Sequence, residues 1–302
     1  MDLKKFAILD GHALIFRGYY AIPPLYTEKG ELVNAVFGFT TILLNILQKL
    51  RPDYLVVTFD MKGPTFRHDT DKTYKATRKE TPDDLIPQVE IIHQVARTFQ
   101  IPIFEQQGFE ADDLIASLAQ QLKFHPEIEI SIISGDMDLT QLINQQIKLL
   151  TPLSGFNDIK TYNTQAVIEK YGIHPEQMID YKAISGDKSD NINGIPGIGK
   201  KTATKLLQTY HSLDGIYENL DKIKGALHLK LSLGKEAAYH CQNLVKLIKN
   251  VPLEFNLTAC ETKDMPKDAI QKLFTELNFK RLFMKFEELY KHKKAEEQLA
   301  MF

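Results

Sequence analysis

Residues 6–10 read FAILD, four apolar residues closed by an acid, and the pattern returns as YLVVTFD at 54–60 and ISIISGD at 130–136. Short, β-branched apolar runs of this kind read as strands buried on both faces of a parallel sheet. Between them lie helical patterns at about 35–50, 82–99 and 111–124, so the sequence predicts βαβ units and an α/β fold with a mostly parallel central sheet flanked by helices. In open parallel sheets, sites form outside the carboxyl ends of the strands. Asp10, Asp60 and Asp136 are therefore expected on one rim. After about Tyr162 the strand signals fade, and helices are expected at 164–171, 175–185, 200–210, 212–219 and 234–249. This divides the chain into an α/β core over 1–163, a helical region over 164–290 and a tail over 291–302 that loses apolar periodicity and is expected to be flexible.

With 302 residues, 43% hydrophobic and 25% charged, the chain falls in the soluble globular class, as one large domain or two closely joined. The longest apolar span, 35–50, is too short and polar for a membrane helix, and MDLKKFAILD has too brief an apolar run for a secretory signal, so a cytoplasmic protein is expected. Cys241 and Cys260 show no metal-ligand spacing and read as reduced structural residues. The formal charge of −2 is unevenly laid out, with Lys and Arg gathered in segments apart from the acids, so it does not exclude a nucleic-acid partner.

Nine carboxylates stand out in three groups: Asp10 and Asp60; Glu110, Asp112 and Asp113; Asp136, Asp138, Asp187 and Asp190. Each group has an ordinary explanation, since acids cap helix N-termini and populate turns. Together they point to hard cations, because carboxylates brought together repel and raise one another's pKa unless positive charge neutralises them. Oxygen-only donors select magnesium or manganese over zinc, and His12 and His68 lack the spacing of a zinc site. So many acids suit two ions, and two ions suit hydrolysis of a phosphodiester.

Two further segments bear on a nucleic-acid partner. GIPGIGKKTA at 194–203 sets glycines around a turn that opens a lysine-bearing helix. Backbone N–H groups there, with Lys200, Lys201 and Thr202, suit phosphate contacts without base reading, although a plain Gly-rich loop also accounts for the pattern. MKGPTFRHDTDKTYKATRKET at 61–81 is too long for a routine βα connection. It carries Lys62, Arg67, Lys72, Lys75, Arg78 and Lys79 against Asp69, Asp71 and Glu80, and by composition alone reads as a solvated charged loop.

The segments FAILDGHALIFRGYYAIPPL, NAVFGFTTIL, VVTFD, FRH, YKATR, GFEADDLIASLA, ISGDMDLTQLI and YKAISGDKSDNINGIPGIGKKTATKLL resemble the bacterial 5′-3′ exonuclease and flap endonuclease family, to which the amino-terminal nuclease domain of DNA polymerase I belongs. The resemblance extends from about Phe6 to Leu289. It implies a PIN-like core with a helical arch at about 62–81 and a helix-three-turn-helix clamp whose hairpin spans 185–208. By the same resemblance, Asp10, Asp60, Glu110 and Asp112 surround one metal position, Asp136, Asp138 and Asp187 surround the other, and Asp113 and Asp190 act through water. Two Mg²⁺ ions are implied, with Mn²⁺ as substitute, and K⁺ in the hairpin. Lys75 and Arg78 are implied to position the scissile phosphate. Arg67, Tyr74, Gly194, Gly197, Gly199, Lys200, Lys201 and Thr202 are implied to face DNA, with Tyr74 suited either to base stacking or to the core.

The expected substrates are branched or nicked DNA with a 5′ flap and RNA primer–DNA junctions, cut by a monomer in replication and repair. The final QLAMF resembles peptides that bind the bacterial sliding clamp, through Gln298, Leu299, Met301 and Phe302. A noncatalytic junction-binding module that uses the acids only to organise loops, and a metal-dependent ribonuclease, are the alternatives.

Overall fold

β1 (Lys4–Asp10) lies at the centre of the sheet, with its last five residues buried. Phe6 and Ile8 enter the core on one face and Ala7 and Leu9 the core on the other, which is why the run is continuously apolar rather than alternating. In the computed structural model, which describes residues 3–153, 158–262 and 265–299 (backbone alone from 294), the chain leaves β1 through α1 (Gly11–Ala21) and α2 (Asn34–Lys49) to β2 (Tyr54–Thr58). It continues through α3 (Phe66–Thr70) and α4 (Ile86–Thr98) to a two-residue β3 (Ile103–Phe104). Then α5 (Ala111–Leu122) carries it across to β4 (Ile128–Ile133), β5 (Ile147–Pro152) and β6 (Ile159–Tyr162).

The sheet order is β3-β2-β1-β4-β5-β6. β1 runs parallel to both neighbours, with Asp10 opposite Thr58 and Leu9 opposite Ile133, and β6 closes one edge antiparallel to β5. The chain reverses its direction of winding between β1 and β4, so the rim outside those strand ends is the crevice in which an α/β sheet places its ligands.

Among the described residues the α-helices that follow are α6 (Thr164–Tyr171), α7 (Met178–Ser185), α8 (Lys200–Tyr210), α9 (Leu213–Glu218), α10 (Gly225–Leu233), α11 (Lys235–Val245), α12 (Lys267–Glu276) and α13 (Lys280–Leu299). Ile184, Ile195, Ile198, Leu207, Leu231 and Ala238 form the core of α7 to α11. α12 and α13 return to the sheet, where Phe274 and Phe286 pack with Phe39, Ile92 and Leu9. Fully burying such side chains contributes roughly 1.5–3 kcal/mol each.

After α11 the chain runs beneath α5. Gln141 donates to the Val245 carbonyl and accepts from Leu247 N–H, the Ile248 N–H donates to Asp113 at 2.8 Å, and Val251 N–H donates to Ser117 Oγ at 3.0 Å.

Two local expectations differ from the structure. Within 62–81 only Phe66–Thr70 is α-helical, and turns follow. Asp71 accepts the Thr73 N–H, and Lys75 N–H donates to the distant Asp190 carbonyl, so the helical ladder is not continued. The expected loss of structure from 291 onward is not what the backbone shows, since α13 runs to Leu299. KKAEEQL consists of good helix formers, and losing an apolar stripe removes burial without removing helix. Gln298 and Leu299 lie on that helical backbone, while Met301 and Phe302 fall outside the described residues.

Candidate active site

Asp10 closes β1 and caps α1, accepting the Ala13 N–H at 3.1 Å. Ser134, directly after β4, donates its hydroxyl to Asp10 at 2.5 Å and accepts the Asp136 N–H at 2.9 Å, so one small side chain joins two strand ends. Asp60, two residues past β2, accepts the N–H of Ala111 at 2.6 Å and thereby seats the first turn of α5 on the rim. That turn carries Asp112.

Burial pushes the Asp10 carboxyl up to about 7, with the Asp60 and Asp136 charges adding to it and the Ser134 and Ala13 hydrogen bonds opposing. Burial, then Asp136 and Asp10, hold Asp112 well above the usual carboxylate range. Asp10, Asp60, Asp112 and Asp136 thus form one acidic cluster at the carboxyl ends of three parallel strands. His12 lies beside it as a neutral residue. Burial lowers its pKa, and Nδ1 accepts the Asp60 N–H at 3.0 Å. That leaves its ring proton on Nε2, and the 3.6 Å approach of Asp60 Oδ2 to Nδ1 is not an ion pair.

The remaining acids are matched with cations of the chain itself. Arg67 corrects the expectation that it faces DNA, because it is only 1% exposed. Its guanidinium grips Asp113 through two hydrogen bonds of 2.7 and 2.8 Å, and it also donates to the Leu244 and Lys246 carbonyls. Asp113, fully buried, accepts the Glu110 and Ile248 N–H groups as well. All the hydrogen bonds that Asp113 accepts come from the chain itself, which gives it a structural role.

Tyr74 is likewise in the core, 4% exposed, with its hydroxyl directed at Glu110 (3.0 Å) and Asp190 (3.3 Å), so it does not offer a ring face to a base. Burial, with the Glu110 and Asp190 charges, raises its pKa and keeps it a donor. Lys75 Nζ lies 2.7 Å from Glu110, and Arg78 lies 2.5 Å from Asp190. YKATR therefore brings its two cations to the rim on which the acids stand.

Lys182, on α7, pairs with Asp138 and also with Asp187 at 2.6 Å. The two acids respond oppositely to this shared ammonium. Burial, reinforced by Asp136, carries Asp138 up to about 7 despite Lys182. Burial also opposes ionisation of Asp187, but Lys182 and the Ser189 N–H and hydroxyl bring it down to about 2. Lys182 was not singled out in the sequence. Its position five residues before Asp187, one helical turn and a bend away, was the available signal.

Among the described residues, no three acids, histidines or cysteines form a ready-made metal cage. The donor set fits hard divalent cations nonetheless. Its donors are carboxylate oxygens, and Asp10, Asp112 and Asp138 are each raised in part by neighbouring acids, a repulsion that bound positive charge would relieve.

Downstream, α7 ends at Gly186, in the left-handed region at φ 74°. Gly186 and Gly194 are packed back to back, for a Cβ on Gly194 would fall 2.2 Å from the Gly186 nitrogen. Reciprocal backbone hydrogen bonds between Asp187 and Ile192 close the loop between them, so the hairpin register and the position of Asp187 are one constraint. Gly197 and Gly199 are exposed, Gly199 caps α8, and Lys200 and Lys201 project from its first turn with Thr202 half-buried. Lys230 of α10 donates to the Gly197 carbonyl at 3.0 Å, so a hairpin carbonyl already has a positive partner where a potassium ion is expected.

Comparison with known proteins agrees with this fold. Residues 5–172 match the family model described as 5′-3′ exonuclease, N-terminal resolvase-like domain, and residues 173–268 match 5′-3′ exonuclease, C-terminal SAM fold. DNA polymerase I of Caldicellulosiruptor bescii is 39% identical over 92% of the chain and 33% of that protein. DNA polymerase I of Bacillus caldotenax is 38% identical over 94% of the chain and 32% of that protein. The chain spans about a third of the length of these relatives. Among solved structures, a zinc-bound T5 5′-exonuclease has a TM-score of 0.67 at 21% identity, covering 95% of this chain and 99% of that one. The catalytic core of Rad2 with DNA substrate has a TM-score of 0.57 at 16% identity, covering 95% and 92%. The chain belongs to the 5′-3′ exonuclease family.

Proposed function

We propose that the protein is a structure-specific 5′ nuclease that hydrolyses DNA phosphodiesters, and those of RNA primers, at 5′ flaps, nicks and ends during replication and repair. The observation that carries this reading is the cluster of Asp10, Asp60, Asp112 and Asp136 on one rim, with Asp10 and Asp112 held above the usual carboxylate range by burial and by neighbouring acids. Two divalent ions, magnesium with manganese as substitute, would supply the charge that activates water and stabilises the phosphorane-like transition state.

The chain's own residues do the rest. Asp10, Asp60, Glu110 and Asp112 would hold one ion, and Asp136, Asp138 and Asp187 the other, with Asp190 assisting through water. Lys75 and Arg78 exchange their carboxylate partners for the scissile phosphate. Glycine N–H groups and Lys200, Lys201 and Thr202 hold the duplex by its backbone without reading bases. The reading extends to a monomeric protein whose C-terminal QLAMF docks on a sliding clamp.

Incubating a 5′-labelled flap with the protein, with and without magnesium, tests the proposal. Metal-dependent release of the flap with a 5′-phosphate on the remaining strand is expected. Junction binding without products supports the noncatalytic module instead.

A further inference from the structure

The segment 66–78, which presents Lys75 and Arg78, is fastened to the helical region at several points. Asn191 Nδ2 donates to the Thr73 carbonyl at 2.8 Å, and Lys75 N–H donates to the Asp190 carbonyl at 2.8 Å. Arg78 pairs with Asp190, and Tyr74 packs with Ile192, Cys241 and Leu244. Lys75 itself sits at φ 55°, a left-handed conformation that a lysine keeps only when its surroundings over-determine it. Most of these attachments involve or adjoin the acids and cannot be cut without disturbing them.

One does not. His240 of α11 lies with Nε2 2.9 Å from Asp71 Oδ2, while Asp71 Oδ1 accepts both the N–H (2.8 Å) and the hydroxyl (2.7 Å) of Thr73. Asp71 therefore joins the turn that leads into Lys75 to a helix 169 residues away in sequence. The pair is at the perimeter, where the His240 side chain is 46% exposed and Asp71 24%, so it can open without unfolding a core.

We propose that His240 is a positioning residue. By holding Asp71 it docks the 66–78 segment against α11, so that Lys75 and Arg78 stand at the acids when a 5′ end arrives. This rests on the nuclease reading above for its kinetic consequence, though not for the docking itself.

The test uses the full chain with His240→Ala and His240→Gln, the latter retaining an N–H donor at a similar reach. For His240→Ala, kcat on a 5′ flap is expected to fall about 3- to 10-fold, the range of one lost hydrogen bond, with KM and duplex Kd unchanged. Trypsin cleavage after Lys75 and Arg78 should accelerate in parallel, and His240→Gln should restore both. Wild-type kcat and trypsin rate in His240→Ala overturn the proposal, as does a loss of duplex affinity equal to the loss of kcat. If the wild type cuts no flap, the nuclease reading fails while the trypsin comparison still decides the docking.

Discussion

The acids at the strand ends and the acids beside the hairpin are built on opposite principles. Asp10, Asp60, Asp112 and Asp136 face one another with dipoles and N–H groups for support, and the protonation of Asp10 and Asp112 is driven upward. Asp138, Asp187 and Asp190 are met by Lys182 and Arg78. The first group stores repulsion that an added cation or a bound proton relieves. The second is only partly neutralised, since Lys182 draws Asp187 down while burial and Asp136 still raise Asp138, and any ion that enters must displace an ammonium or share its acids. A site can thus hold its carboxylates ready either by leaving them strained or by lending them a temporary partner, and this molecule does both within one rim.

The sharpest way to break the contrast is Asp112→Asn. It should lower flap cleavage by roughly 10³-fold or more, the equivalent of about 4 kcal/mol, while junction binding changes little and the metal-free protein becomes more stable. A comparable loss of binding would show that Asp112 organises the DNA surface instead. Lys182→Met tests the other half in the opposite sense. Removing one partner of a buried pair should cost about 3 kcal/mol and lower the metal-free melting temperature, with magnesium restoring part of it. An unchanged melting temperature would mean that the ammonium is not needed to hold Asp138 and Asp187 together.

A pH series sharpens the same comparison. Asp10 and Asp138 have folded-state values of about 7 against an ordinary 3.8, so the folded chain binds protons more tightly than the unfolded one. Their stabilising contribution is complete below about pH 4 and is lost as pH rises through 7. In EDTA the melting temperature should therefore fall by about 5 °C between pH 5.5 and 8, and saturating magnesium should shrink the difference. A flat profile in EDTA would contradict the strain at Asp10 and Asp138. The smallest effect belongs to the hairpin. Lys201→Ala should weaken duplex binding a few-fold and reduce the salt slope by about 0.9, the loss of one phosphate contact. An unaltered slope would place Lys201 off the DNA.

The strand runs and the acids that end them were legible because burial on both faces writes a continuous apolar run, and helices 164–171 and 200–210 were legible from their periodicity. The partners of the acids were not. Arg67 meets Asp113 across 46 residues and Lys182 meets Asp138 across 44, and neither partner can be read from a stretch of sequence, although the spacing of Lys182 to Asp187 hints at one of its pairs. The resemblance implies that Arg67 faces DNA and leaves Tyr74 either to base stacking or to the core, whereas the fold turns both side chains inward. α10 is hidden because Leu227, Leu229, Leu231 and Leu233 alternate with other residues, the period of a strand rather than of a helix, whereas α12 and α13, whose apolar residues do recur at helical spacing, are not among the expected helices.

The passage of residues 244–251 beneath α5 sets a schedule for synthesis. The Arg67 side chain donates to the Leu244 and Lys246 carbonyls, and Asp113 and Ser117 accept the N–H groups of Ile248 and Val251. A nascent chain emerging from the ribosome has made all nine acids by residue 190, yet the arginine that anchors α3 to α5 lacks its backbone acceptors until some sixty residues later. The centre is therefore finished late, and an interrupted translation product carries the acids without the frame that aims them.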